Sequence, residues 1–143
     1  MIPVCGYRSL VEEAKLWRQS RSTAEILEKI AQLKSDNCDY LAGILESVGP
    51  CNGPWATNTI PGLSWHNWRQ AIDFAWEDKG FIDWNGDSDA YKTLADEAIK
   101  LGLTPGYYFH KRDAGHIQFN AKEVPEVYTL QDVNDHFKGL DKC

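Results

Sequence analysis

No stretch of this sequence concentrates positive charge. Fifteen lysines and arginines face twenty-one acids, for a net charge of −6, and the basic residues are scattered. That excludes the basic patch or stripe of a nucleic-acid binder and the polybasic segment of a membrane-surface protein. No apolar run approaches the roughly 20 residues needed to span a bilayer. No leader is expected before the domain-like Cys5-Gly6-Tyr7-Arg8, since Met1-Ile2-Pro3-Val4 runs straight into it. Removal of a leader, export by a route needing none, or excision from a longer chain would each account for this. Repeats, low-complexity tracts and a convincing linker are lacking too. With 143 residues of which 43% are hydrophobic, the chain reads as one compact domain, 1–143, with a sizeable core, and as a monomer.

The chain also lacks a Cys-x-x-Cys pair, which argues against a cysteine-based zinc site. Cys5, Cys38, Cys51 and Cys143 are even in number, as two disulfides in an extracytoplasmic protein would require. Three pairings exist. Cys38–Cys51, closing a loop near Gly49-Pro50, with Cys5–Cys143 tying the ends, is the favoured one; four reduced thiols are the alternative. A loop of about 15 residues would contribute roughly 3 kcal/mol.

What is present is helix punctuation followed by strand-like runs. Ser9 with Glu12, Ser22 with Glu25 and Thr129 with Asp132 form helix-start patterns. They predict helices to about Arg18, from Ser22 through two segments broken near Ser35-Asp36-Asn37, and on to Phe137. A further helix is expected from Asp89 to Lys100, with Tyr91, Leu94, Ala95, Ala98 and Ile99 inward and Gly102 as its stop. Residues 49–63 hold three prolines and three glycines and should be a loop. Residues 2–8 suit a short strand turning at Gly6, and Ala71–Trp76 a second. Tyr107-Tyr108-Phe109 and His116–Phe119 suit a hairpin. Helices followed by a small antiparallel sheet indicate an α+β fold.

The chemistry gathers at Ser64-Trp65-His66-Asn67-Trp68-Arg69-Gln70-Ala71-Ile72-Asp73 and at Asp113-Ala114-Gly115-His116. Asp73 interrupts an apolar strand, where a carboxylate needs a partner or a metal. Zinc in hydrolases is commonly held by three side chains drawn from His and Asp or Glu, leaving one position open. His66 and Asp73 are candidate ligands, with His110 or His116 as the third. Asp113 is a spare carboxylate, or a turn residue between Arg112 and Gly115.

The spacing Ser-x-His-x(6)-Asp, followed downstream by Asp-x-x-His, resembles the zinc peptidases that cut peptidoglycan stem peptides. These include D-Ala-D-Ala carboxypeptidases and dipeptidases and the L-alanyl-D-glutamate endopeptidases of lysins and autolysins. Gly6-Tyr7-Arg8-Ser9 is similar to that family's turn before its first helix, and His116–Phe119 to its closing ligand strand. The resemblance covers residues 5 to about 120. It implies the hedgehog/DD-peptidase fold, in which a small antiparallel sheet carries the zinc site and packs against helices. It also implies zinc held by His66, Asp73 and His116, with Asp113 as proton carrier.

Under that resemblance Arg8 neutralises an oxyanion or grips a substrate carboxylate. Ser64 and Gln118 orient ligands or touch substrate, and Trp84 or Trp65 lines the groove. The implied activity is zinc-dependent cleavage within the stem peptide, with the L-Ala–D-Glu bond leading. A D-Ala-D-Ala carboxypeptidase and a non-catalytic, zinc-stabilised wall binder are the alternatives. The expected place of action is the periplasm or cell wall, as a lysin or a delivered toxin with an immunity protein as partner. Arg69 stands where the family has glycine, which predicts a shifted backbone or an altered groove.

Overall fold

The computed structural model describes residues 1–142. In chain order the elements are β1 (Ile2–Cys5), α1 (Leu10–Arg18), α2 (Thr23–Ser35), α3 (Asp39–Ser47), β2 (Ala71–Asp78) and β3 (Phe81–Asp83). Then follow α4 (Asp89–Lys100), β4 (Thr104–Pro105), a 3-10 turn over Gly106–Tyr108, β5 (His116–Gln118), α5 (Val124–Val127) and α6 (Leu130–Leu140). The class is α+β with a small antiparallel sheet. The chain gathers into two compact units, residues 1–7 with 68–122 and residues 8–67 with 123–143.

The first unit is the sheet with α4. Its strand order is β1-β2-β5-β4, all antiparallel, with β3 folding back on the far end of β2. Asp73 sits at the register centre, paired with Cys5 on β1 and with His116 on β5. Residues directly opposite in an antiparallel pair project on the same face. The register therefore brings Asp73 and His116 together across 43 residues of chain.

Three details differ from the sequence expectation. The strand opposite β5 is Thr104–Pro105, whereas Tyr107 and Tyr108 lie in the 3-10 turn. The aromatic run favours a strand by propensity, but Gly106 is pressed against the Asp113 segment and ends the pairing. A Cβ there would lie 2.6 Å from Asp113 O and 2.9 Å from His116 Cβ. The polar stretch after Trp76 forms a hairpin, with Lys79 (φ 50°) and Gly80 (φ 85°) both left-handed at the tip. Two such residues make a turn whose twist matches the strands. On α4, Tyr91, Ala95 and Ala98 are buried as expected, while Ile99 is exposed.

The second unit is helical. Ser9–Glu12, Ser22–Glu25 and Thr129–Asp132 all form reciprocal capping boxes, so α1, α2 and α6 begin where their sequences say. Leu33, Leu41, Leu45, Val124 and Val133 are fully buried among them. The N-terminus of α3 has no side-chain cap of its own. Instead Asn134 Oδ1, from α6, accepts from Tyr40 N at 3.1 Å and Leu41 N at 3.2 Å. At its other end Arg18 Nη1 donates to Leu45 O at 2.9 Å and to Val48 O.

The expected Cys38–Cys51 cross-link is not formed: both residues are thiols. Cys38 is buried at the start of α3, with Sγ turned to Asp36 O, and Cys51 Sγ turns to Gly49 O. Burial, with nearby Asp36, Asp135 and Asp39 adding to it, raises the Cys38 pKa and keeps the thiol protonated. The Cys5–Cys143 pairing lies outside the described residues. No helix among the described residues is long and apolar enough to cross a membrane.

Candidate metal centre

Asp73, Asp113 and His116 each offer a ligand atom, and the three atoms lie within 4.8 Å of one another. All three belong to the first unit. Asp73 comes from the middle of β2 and His116 from the start of β5. Asp113 comes from the turn between, closed by Asp113 N donating to Gly106 O at 2.9 Å and His116 N donating to Asp113 O at 3.2 Å. Gly115 is required in that turn. It accepts from Phe74 N at 2.9 Å, and a Cβ on it would fall 2.1 Å from Phe74 O.

The His116 ring is held from both sides. Nδ1 lies 3.0 Å from Asp73 Oδ1, and Nε2 lies 2.9 Å from Gln118 Oε1. Gln118 is itself oriented, because its Nε2 donates to Asn120 O at 2.7 Å, and Asn120 Nδ2 donates to Gln70 Oε1 at 2.6 Å. An amide oxygen only accepts, so His116 Nε2 carries a proton. With that proton kept at Nε2, a metal would be taken at Nδ1, on the side of Asp73. Burial, the largest single influence, opposes charging His116. The bonds to Asp73 and Gln118, with the charges of Asp73 and Asp113, outweigh it and raise its pKa.

The donor set fits zinc. Two ligands each about 2.0 Å from a tetrahedral ion stand roughly 3.3 Å apart, close to the 3.0 Å between His116 Nδ1 and Asp73 Oδ1. Imidazole and carboxylate are the types that zinc takes in catalytic sites. A cleft of about 390 Å³ adjoins them, lined by Asp73, Asp113, Cys5, Phe74, Trp84 and Tyr91 among others. Trp84 is two-thirds exposed at its side. Tyr91 OH donates to Asp83 O at 2.6 Å and accepts from Trp76 N at 3.3 Å, fastening the hairpin that carries Trp84.

Apart from His110, the remaining expected site residues belong to the second unit. His66 is buried, and its N–H donates to Ser64 Oγ at 3.4 Å. Ser64 thereby shapes the turn carrying His66. Trp65 is core, edge-on to Tyr128 at 6.4 Å. Arg8 Nη1 pairs with Glu13 Oε2 at 3.0 Å. His110 does not join the Asp73–Asp113–His116 group and is exposed.

Arg69 has φ 59°, in the left-handed region that favours glycine. Its guanidinium carbon sits 4.3 Å over the Tyr7 ring. Gln118, Asn120 and Gln70 form a chain behind His116 that only its first member foreshadowed in the sequence. Buried Glu13 had no sequence signal, and Asn67 had only its place beside His66. No protein-family model matches the chain, and no curated protein matches it significantly.

Proposed function

We propose that this protein is a zinc-dependent peptidase with a hedgehog/DD-peptidase-like fold that hydrolyses peptide bonds in peptidoglycan stem peptides, the L-Ala–D-Glu bond first among them. The observation that carries the reading is the Asp73–Asp113–His116 group at a cleft wall, with the His116 ring held so that Nδ1 faces Asp73 and Nε2 faces Gln118. Asp73 and His116 would hold the metal. The third ligand, His66, belongs to the other unit and is assigned on its sequence motif alone.

A zinc ion in such a site supplies Lewis acidity toward a carbonyl and makes water a nucleophile near neutral pH. The protein's own groups do the rest. Asp113 is exposed on the cleft and takes the proton released as water adds to the scissile carbonyl. It then delivers that proton to the leaving amine as the C–N bond breaks. Arg8 balances the negative charge that builds on the carbonyl oxygen. Trp84 offers an apolar wall to the substrate.

The test is digestion of purified peptidoglycan with and without a chelator, with products read by mass spectrometry. Chelator-sensitive release is expected, and the fragment masses name the bond. Asp113→Asn is expected to lose roughly 100- to 10,000-fold in turnover while retaining zinc. Full turnover by that variant would remove Asp113 from the mechanism, and no release by the zinc-loaded wild type would overturn the reading.

A further inference from the structure

Glu13 is a wholly buried carboxylate on α1, and the peptidase reading gives it no task. Its Oε2 accepts from Arg8 Nη1 at 3.0 Å, while Oε1 has no hydrogen-bond partner. Arg8 is also fixed through its backbone. Its N–H donates to His66 O at 3.2 Å, and its carbonyl accepts from Asn67 Nδ2 at 2.9 Å. Asn67 is anchored in turn, since its Oδ1 accepts from Gly62 N at 2.9 Å. Arg8 is thus held by three groups of its own unit: His66 and Asn67 fix its backbone, and Glu13 holds its guanidinium.

Stability does not explain such a carboxylate. Taking an ion pair out of water offsets most of its attraction, and well-packed apolar replacements are often neutral or better. An unpaired buried oxygen adds a further cost. What the pair does fix is direction. A guanidinium on a flexible stem can face many ways, and a buried acceptor five residues along selects one.

We infer that Glu13 is a positioning residue for Arg8, fixing the direction of the guanidinium to which the peptidase reading gives the task of balancing negative charge. Its catalytic consequence rests on the peptidase reading; the restraint on Arg8 does not.

Two measurements test it. In protein labelled with 15N-arginine, the Arg8 side-chain signal of the wild type is expected to show hindered rotation, lost in Glu13→Gln. An unchanged Arg8 signal overturns the inference whether or not the protein turns over substrate. On peptidoglycan fragments, Glu13→Gln is expected to lower kcat by up to about 100-fold with KM little changed, the pattern of a misplaced transition-state contact. The double variant with Arg8→Lys should be no slower than Arg8→Lys alone.

Additive losses, or a Glu13→Gln protein that loses only thermal stability, sink the assignment. If Glu13→Gln does not fold, Glu13→Asp keeps the charge but withdraws the acceptor, and the same loss of restraint is expected. A wild type without turnover removes the peptidase reading alone, and the Arg8 signal still decides the role of Glu13.

Discussion

Single residues here act through orientation more than through intrinsic reactivity. His116 would suit a metal because Gln118, held by Asn120, accepts from Nε2 and leaves Nδ1 on the side of Asp73. Gln118→Leu should therefore weaken zinc binding by roughly 10- to 100-fold without removing a ligand, as competition with a chromophoric chelator would show. Arg69 makes the converse case, an unfavourable backbone conformation. A left-handed non-glycine residue costs about 1–2 kcal/mol, and its stacking on Tyr7 returns about 0.5–1 kcal/mol. Arg69→Ala keeps the strain and loses the stacking, whereas Arg69→Gly relieves the strain. Denaturant titration is expected to find the glycine variant the more stable of the two by about 1 kcal/mol. The reverse order would show that the backbone at 69 is not strained.

Among the elements, the helices begin at charged caps that respond to acid. The hydrogen bonds from Ser9, Ser22 and Thr129 lower the pKa of Glu12, Glu25 and Asp132. Their folded values lie below the unfolded ones. The stability they contribute is therefore present above the ordinary carboxylate pKa and lost as pH falls through the lowered values. Urea midpoints should drop on acidification through that window, and the drop should shrink when Glu12, Glu25 and Asp132 are replaced together by their amides. These same caps explain why α1, α2 and α6 were legible in the sequence, since every partner lies within three residues.

The sheet was less legible because its decisive contacts are distant. Tyr107-Tyr108-Phe109 carries strand propensity, yet Gly106 against Asp113 bends the chain away. The tip of the β2–β3 hairpin uses a left-handed lysine that no turn signal announces. Of the site, the Asp73–His116 pairing follows from the motif, whereas Glu13 looks like any exposed helix acid until its burial is seen. Gly115→Ala drives a Cβ into Phe74 O and should destabilise the protein by about 1–3 kcal/mol or more. It should also displace Asp113 and His116, measurable as lost zinc affinity; normal affinity in a folded variant would show that the turn can relax.

On the scale of the whole molecule, neither compact unit is a continuous stretch of chain. The sheet takes its first strand from Ile2–Cys5 and the rest from beyond residue 67, and the helical unit takes residues 8–67 and those from Glu123 onward. Ile2 pairs with Ala75, so β1 waits during synthesis for a partner that is on the order of 4 to 15 seconds behind it at ordinary elongation rates. For that interval an apolar strand with free backbone groups leaves the ribosome unpaired. Pro3, which cannot donate to a neighbouring strand, and the register irregularity between Pro3 and Cys5 make it a poor template for another chain. Thus the irregular segment that precedes the candidate site also protects the nascent protein from its neighbours before the site exists.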